Sequence, residues 1–220
     1  MLIAEARWLG ERLAAVPGDD LFPLLNVGSS TAEFREAMQP HIHEEVFEPL
    51  QRRGGRICHV DIKAAPGVDL VGNLLDPGFL ARLRKVEIKS ALVSNLLEHV
   101  PDRQLIADAL LEIVPRDGYI VVSGPHAFPY HADPLDTMFR PSVADVTRHF
   151  PGTSIVDSAI IDAGNWRCWK ATERGGRSLP RVLARLCVPF YRPGDWMALA
   201  RQTPFLLRHS KAFAVVLRKL

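Results

Sequence analysis

Between residues 21 and 122, short apolar runs alternate with stretches in which apolar side chains recur every three or four positions. The runs, rich in Val, Ile and Leu, read as strands, and the spacing between them reads as helix. Strands are expected over 21–27, 56–60, 68–71, 87–94 and 119–122, with later ones over 154–161 and 212–217. Helices are expected over the first 16 residues, where Leu2, Ile3, Ala6, Leu9 and Leu13 share a face ahead of Pro17-Gly18, and from Thr31 towards Pro40. Further helical segments are expected over 41–50, as a turn or two at 80–84, from Pro101 through Ile113, and over 142–150. Such alternation buries a mostly parallel sheet between two helical layers and leaves ligands to bind at the carboxyl ends of the strands. The expected class is therefore α/β, a doubly wound sheet. A single domain is expected over 1–220: a core over 17–165, an insert or lid over 166–210, and a last strand over 211–220.

The sharpest break in the pattern is Leu24-Leu25-Asn26-Val27-Gly28-Ser29-Ser30-Thr31, where a strand gives way to small residues before a helix resumes. Small side chains let a ligand approach the turn backbone, and the helix behind offers free N–H groups. Asp61 ends the second strand, where a carboxylate either accepts both hydroxyls of a ribose or caps a turn. A dinucleotide fingerprint would need three glycines, and only Gly28 is present, followed by Ser30 and Glu33 in the other two places. A G-x-x-x-x-G-K-[ST] loop is missing altogether, which argues against nucleoside triphosphate hydrolysis.

With these residues in place, the chain resembles the class I S-adenosylmethionine-dependent methyltransferases, in particular their small type-11-like branch. Leu25-Asn26-Val27-Gly28-Ser29-Ser30-Thr31-Ala32 matches the frame of the first motif, with Asn26, Ser30 and Ala32 where the family carries an acid and two later glycines. Leu97-Glu98-His99-Val100-Pro101-Asp102 is similar to the stretch after the family's fourth strand, and Val114-Pro115-Arg116-Asp117-Gly118 to its turn before strand five. The matches run in the family's order over about residues 22 to 150. The resemblance implies a Rossmann-like methyltransferase fold with S-adenosylmethionine as cofactor. It assigns Asn26, Gly28, Ser29 and Ser30 to the methionine end, Asp61 to the ribose and Asn73 to the adenine, with Ser94 and Asn95 completing the site.

Methyl transfer from a sulfonium is an in-line displacement, so the protein positions the nucleophile and supplies a base where the acceptor is a hydroxyl. Candidates near the ends of strands four and five are His99, His126 and His131. Each has a plain alternative: His99 beside Glu98 fixes a turn, and the other two are ordinary loop residues. Asp136 and Arg140 either bind the acceptor or pair with each other. His126, His131, Asp133 and Asp136 offer metal-ligand chemistry without a recognised spacing, and no metal is expected.

The 171–220 segment carries ten arginines and lysines against Glu173 and Asp195, a local +8 in a chain of net +2. Together with the apolar and aromatic residues of 179–199, this suits either a lid packed on the domain or peripheral contact with an anionic membrane. The acidic remainder opposes a nucleic-acid partner. Three scattered cysteines and the lack of a long apolar run point to the cytoplasm. The expected activity is methyl transfer to a small-molecule or saccharide-like acceptor; the alternative is a non-catalytic relative that keeps the fold to bind a partner.

Overall fold

The computed structural model describes residues 1–131, 135–165, 184–192, 194, 196–197, 200 and 208–220. Among these residues seven strands form one sheet: β1 (Leu24–Val27), β2 (Ile57–Asp61), β3 (Leu70–Val71), β4 (Ser90–Ser94), β5 (Tyr119–Ala127), β6 (Thr153–Asp162) and β7 (Lys211–Lys219). Their order is β3-β2-β1-β4-β5-β7-β6, parallel from β3 through β5, while β7 runs antiparallel to both β5 and β6. The chain reverses direction across the sheet at β1, so the crevice at the carboxyl ends of β1, β2 and β4 is where ligands of such sheets bind.

Successive side chains leave a strand on opposite faces, so each central strand feeds two cores. Leu24, Leu92, Val121, Ala214 and Val216 pack on one side under α1 (Ile3–Ala15) and the helical segment ending in α3 (Glu48–Arg52). Leu25, Val60, Val93, Val122 and Val215 pack on the other under α4 (Pro77–Arg84), α5 (Arg103–Ile113) and α6 (Val143–Thr147). The α1 helix places Ala6, Leu9 and Leu13 against the sheet, and an Arg12–Asp157 ion pair of 2.5 Å ties it to β6.

Several boundaries differ from those expected. Residues 21–23 are not strand: α2 (Gly18–Leu21) ends there, followed by a cis Phe22–Pro23 bond. The fourth strand begins at Ser90 rather than at 87, because Val86 and Glu87 still donate to the carbonyls of Leu83 and Arg84, and Glu87 takes a positive φ of 54°. The fifth extends to Ala127, held by its antiparallel partner β7. Local apolar runs mark the middle of a strand, whereas its ends are set by what lies alongside.

The insert expected over 166–210, with the membrane-facing stretch 179–199, lies mostly outside the described residues. Within the described part, the Arg185 guanidinium donates to the carbonyls of Val188, Tyr191 and Arg192, and Phe190 and Tyr191 are exposed. Among the described residues no helix is long and apolar enough to cross a membrane.

Candidate active site

At the end of β1 the chain turns through Gly28 at φ 68° and Ser30 at φ 55°. Such a conformation disfavours side chains, and a Cβ on Gly28 would also come within 3.1 Å of Leu96. Two side chains hold this turn. Asp61 Oδ2 accepts from Ser30 N at 2.9 Å while its Oδ1 accepts from Lys63 N at 3.1 Å. Buried Arg35, one turn into the following helix, donates to the carbonyls of Ser29, Ser30 and Gly67, each at 2.8 Å. The turn after β1 and the loop after β2 are therefore joined by one guanidinium, and Ala32 N adds a bond to Pro66 O.

Asn26 is buried on the α1 side of the sheet, and its Nδ2 lies 2.9 Å from His59 Nδ1. Since an amide nitrogen only donates, Nδ1 of this imidazole is the acceptor and carries no proton. Burial, with Arg35 nearby, brings the His59 pKa down to about 4, so the ring stays neutral.

Across β4 and β5 lies a second polar layer. Glu5, on α1, is 1% exposed. Its Oε1 accepts from Asn95 Nδ2 at 2.8 Å and from Ser123 Oγ at 2.7 Å, while Oε2 accepts from Leu2 N. The Ser94 and Ser123 hydroxyls stand 3.2 Å apart, on paired positions of β4 and β5. Asn95 takes a positive φ of 50°, so left-handed backbone occurs just after both β1 and β4, at the mouth of one crevice.

Beyond β4, Glu98 is buried, and burial raises its pKa to about 7. Its Oε1 lies 3.8 Å from His99 Nε2. The His99 Nδ1 is 2.5 Å from Leu135 O, and the His99 and His131 rings meet edge to face at 5.4 Å. Burial also lowers the His131 pKa. Asp136 is fully enclosed: burial opposes its charge, yet bonds from Arg140, His131 N and Met138 N hold its pKa down to about 2. Arg140 is saturated by Asp136 and the carbonyls of Phe128, Pro129 and Phe139. Of the two roles open to Asp136 and Arg140, these bonds are the ion pair, and the pair braces the loop after β5.

The sequence candidates thus divide into groups. Asn26, Gly28, Ser29, Ser30 and Asp61 surround the β1 turn; Ser94 and Asn95 adjoin Glu5; and His99 and His131 meet at Glu98. Asn73 is exposed, its Oδ1 accepting from Leu75 N. His126 stands apart from the other two histidines' contacts, its Nδ1 2.7 Å from Pro141 O. The metal set that included Asp133 cannot be followed, since Asp133 lies outside the described residues. Glu5, Arg35 and Ser123 were not anticipated.

No family model and no curated protein matches the sequence. Solved structures do match. Coclaurine N-methyltransferase bound to N-methylheliamine and S-adenosylhomocysteine superposes with a TM-score of 0.55 at 14% identity, over 99% of this chain and 70% of that one. The fold is that of the class I methyltransferases. A SAM-dependent methyltransferase from Anabaena variabilis gives 0.50 at 12% identity, over 100% and 96% of the two chains. The [4+2]-cyclase SpnF gives 0.50 at 14%, over 99% and 80%. A cyclase among these neighbours illustrates that a fold alone does not fix a reaction.

The residues at the crevice suit an adenosyl sulfonium. Each Asp61 oxygen spends one acceptor site on a backbone N–H and keeps another, enough for the two hydroxyls of a ribose.

Proposed function

We propose that this protein binds S-adenosylmethionine at the carboxyl ends of β1, β2 and β4 and transfers its methyl group to a small-molecule acceptor. The observation that carries the reading is Asp61: a carboxylate ending the strand next to β1, turned to the Gly28–Ser30 turn, with acceptor capacity left over. When bound, the cofactor supplies an electrophilic methyl group. The chain's own residues do the rest. Asp61 holds the ribose, Gly28 lets the methionine end lie against backbone, Asn73 reads the adenine, and Arg35 keeps the turn in shape before any ligand arrives. Ser94 and Asn95, fixed through Glu5, form the floor between cofactor and acceptor.

The acceptor lies beside Glu98, His99 and His131, with the Asp136–Arg140 pair holding the loop over it. A carboxyl group with a pKa of about 7 can take a proton directly from an acceptor hydroxyl brought against it. A saccharide-like acceptor suits this polar lining. Titration calorimetry of the protein with S-adenosylhomocysteine, with NAD as control, tests the reading. Micromolar binding is expected, and Asp61→Ala should weaken it about 100-fold, the loss of two charge-assisted hydrogen bonds. Absence of binding at millimolar ligand would leave the fold as a partner-binding module.

A further inference from the structure

The loop after β4 and the loop after β5 bring three metal-ligand groups to one point. One ligand atom each from Glu98, His99 and His131 lies within 4.8 Å of the other two. We infer that Glu98, His99 and His131 form a binding site for a divalent transition-metal ion such as Zn²⁺, a site that shares only His131 with the His126, His131, Asp133 and Asp136 set raised by the sequence.

The arrangement is hard to explain otherwise. Glu98 is 1% exposed, yet its Oε1 has no hydrogen-bond partner; a buried acceptor left bare in this way is costly. It faces His99 Nε2 at 3.8 Å without bonding to it. The buried Nδ1 of His131 likewise makes no hydrogen bond, though Asp136 Oδ2 stands 3.3 Å away. Each imidazole therefore turns its Nδ1 towards an oxygen: Leu135 O for His99, Asp136 for His131. The His99 ring is oriented as metal-binding histidines are, with the nitrogen away from the metal donating to a carbonyl, which leaves its Nε2 as the lone pair on offer.

Ligands about 2.1 Å from a tetrahedral ion stand about 3.4 Å apart. Since the ligand atoms lie within 4.8 Å of one another, closing to that value needs them to approach by no more than about 1.4 Å. Two imidazoles and a carboxylate favour Zn²⁺, Mn²⁺ or Fe²⁺ over Mg²⁺ or Ca²⁺, which prefer all-oxygen sets. Three protein ligands also leave coordination positions open, where an acceptor oxygen can bind and be held for displacement. Binding of the metal stands on the geometry alone; only its service to an acceptor rests on the methyl-transfer reading.

The test uses EDTA-treated, dialysed protein of residues 1–220 titrated with Zn²⁺ alone, alongside S-adenosylhomocysteine in separate titrations. One equivalent of Zn²⁺ should bind, with Mg²⁺ far weaker. Glu98→Gln and His99→Gln should each weaken Zn²⁺ binding at least about 100-fold, whereas His126→Asn should leave it unchanged. Circular dichroism confirms that each variant is folded, and His131→Asn replaces any that is not. No Zn²⁺ binding, equal binding by the folded ligand variants, or preference for Mg²⁺ would overturn the inference. Zn²⁺ binding without S-adenosylhomocysteine binding would keep the metal site and remove the methyl-transfer reading; the converse would do the reverse.

Discussion

Replacing Asn26 by Asp restores the acid found at this place in the methyltransferase motif, and the structure dictates what that charge meets first. The Asn26 amide nitrogen lies 2.9 Å from His59 Nδ1, so a carboxylate there faces an unprotonated ring nitrogen. Two acceptors cannot stay in contact, and the pair is relieved when His59 takes a proton. A charge pair at that distance is worth about 6 kcal/mol at an effective dielectric of about 20, equivalent to about 4 pKa units. Desolvation of the new carboxylate and the nearby Arg35 take back part of this. The His59 pKa should therefore rise from about 4 by at least about 2 units, read from its ring protons by NMR titration.

The shift also has a sign in stability. In the wild type His59 titrates below its unfolded value of 6.5, so between the two the unfolded chain holds the extra proton. The group's contribution is complete above about pH 6.5 and is lost as pH falls towards 4. It amounts to about 3 kcal/mol. Between about pH 5 and about pH 7.5 the wild type should gain about 2 kcal/mol of this by urea unfolding, and in Asn26→Asp that gain should shrink below about 1 kcal/mol or reverse. A His59 pKa that stays below about 5 in the variant, or a stability difference from wild type that is the same at both pH values, would refute the reasoning.

Other perturbations act on the supports of the site. Arg35→Met keeps the bulk of the side chain but strips three carbonyls of their donor, and urea unfolding should show a loss of about 3 kcal/mol, with weaker S-adenosylhomocysteine binding as the turn loosens. Glu5→Ala leaves the Ser123 hydroxyl and the Asn95 amide without their shared acceptor, and should cost about 2–4 kcal/mol by the same assay; a loss below about 0.5 kcal/mol would mean that α1 is not anchored through this carboxylate.

The parts of this architecture that local patterning encodes were legible. The apolar runs at β1, β2, β4 and β5, separated by helical spacing, led to the doubly wound sheet, and the turn at Gly28 with Asp61 one strand over marked the crevice. What escaped was made by distance in sequence. Glu5 meets residues 90 and 118 positions away, and as an acid in the first turn of a helix it resembled an ordinary surface group. Its one local sign was its place four residues before Leu9, on the apolar stripe rather than opposite it. Arg35 likewise looked like any charge on a helix, and only burial showed it as the bolt between two loops. In the sequence Glu98 is only one member of the Leu97–Asp102 stretch beside His99, because an orphaned oxygen is a property of surroundings that a sequence does not display. Asp136 and Arg140 stand four residues apart in the sequence, but their mutual saturation depends on where the carbonyls of 128, 129 and 139 lie.

The reach of Glu5 also bears on how the site comes into being. Its bonds to Ser123 and Asn95 close a loop over more than half of the chain, and contacts of such separation form only after the intervening segments have been gathered in. A molecule with its strands paired but α1 undocked has the sheet without the pocket floor. Assembly of the binding crevice and docking of the amino-terminal helix are thus one event, and any ligand that binds the crevice selects for chains in which that event is complete.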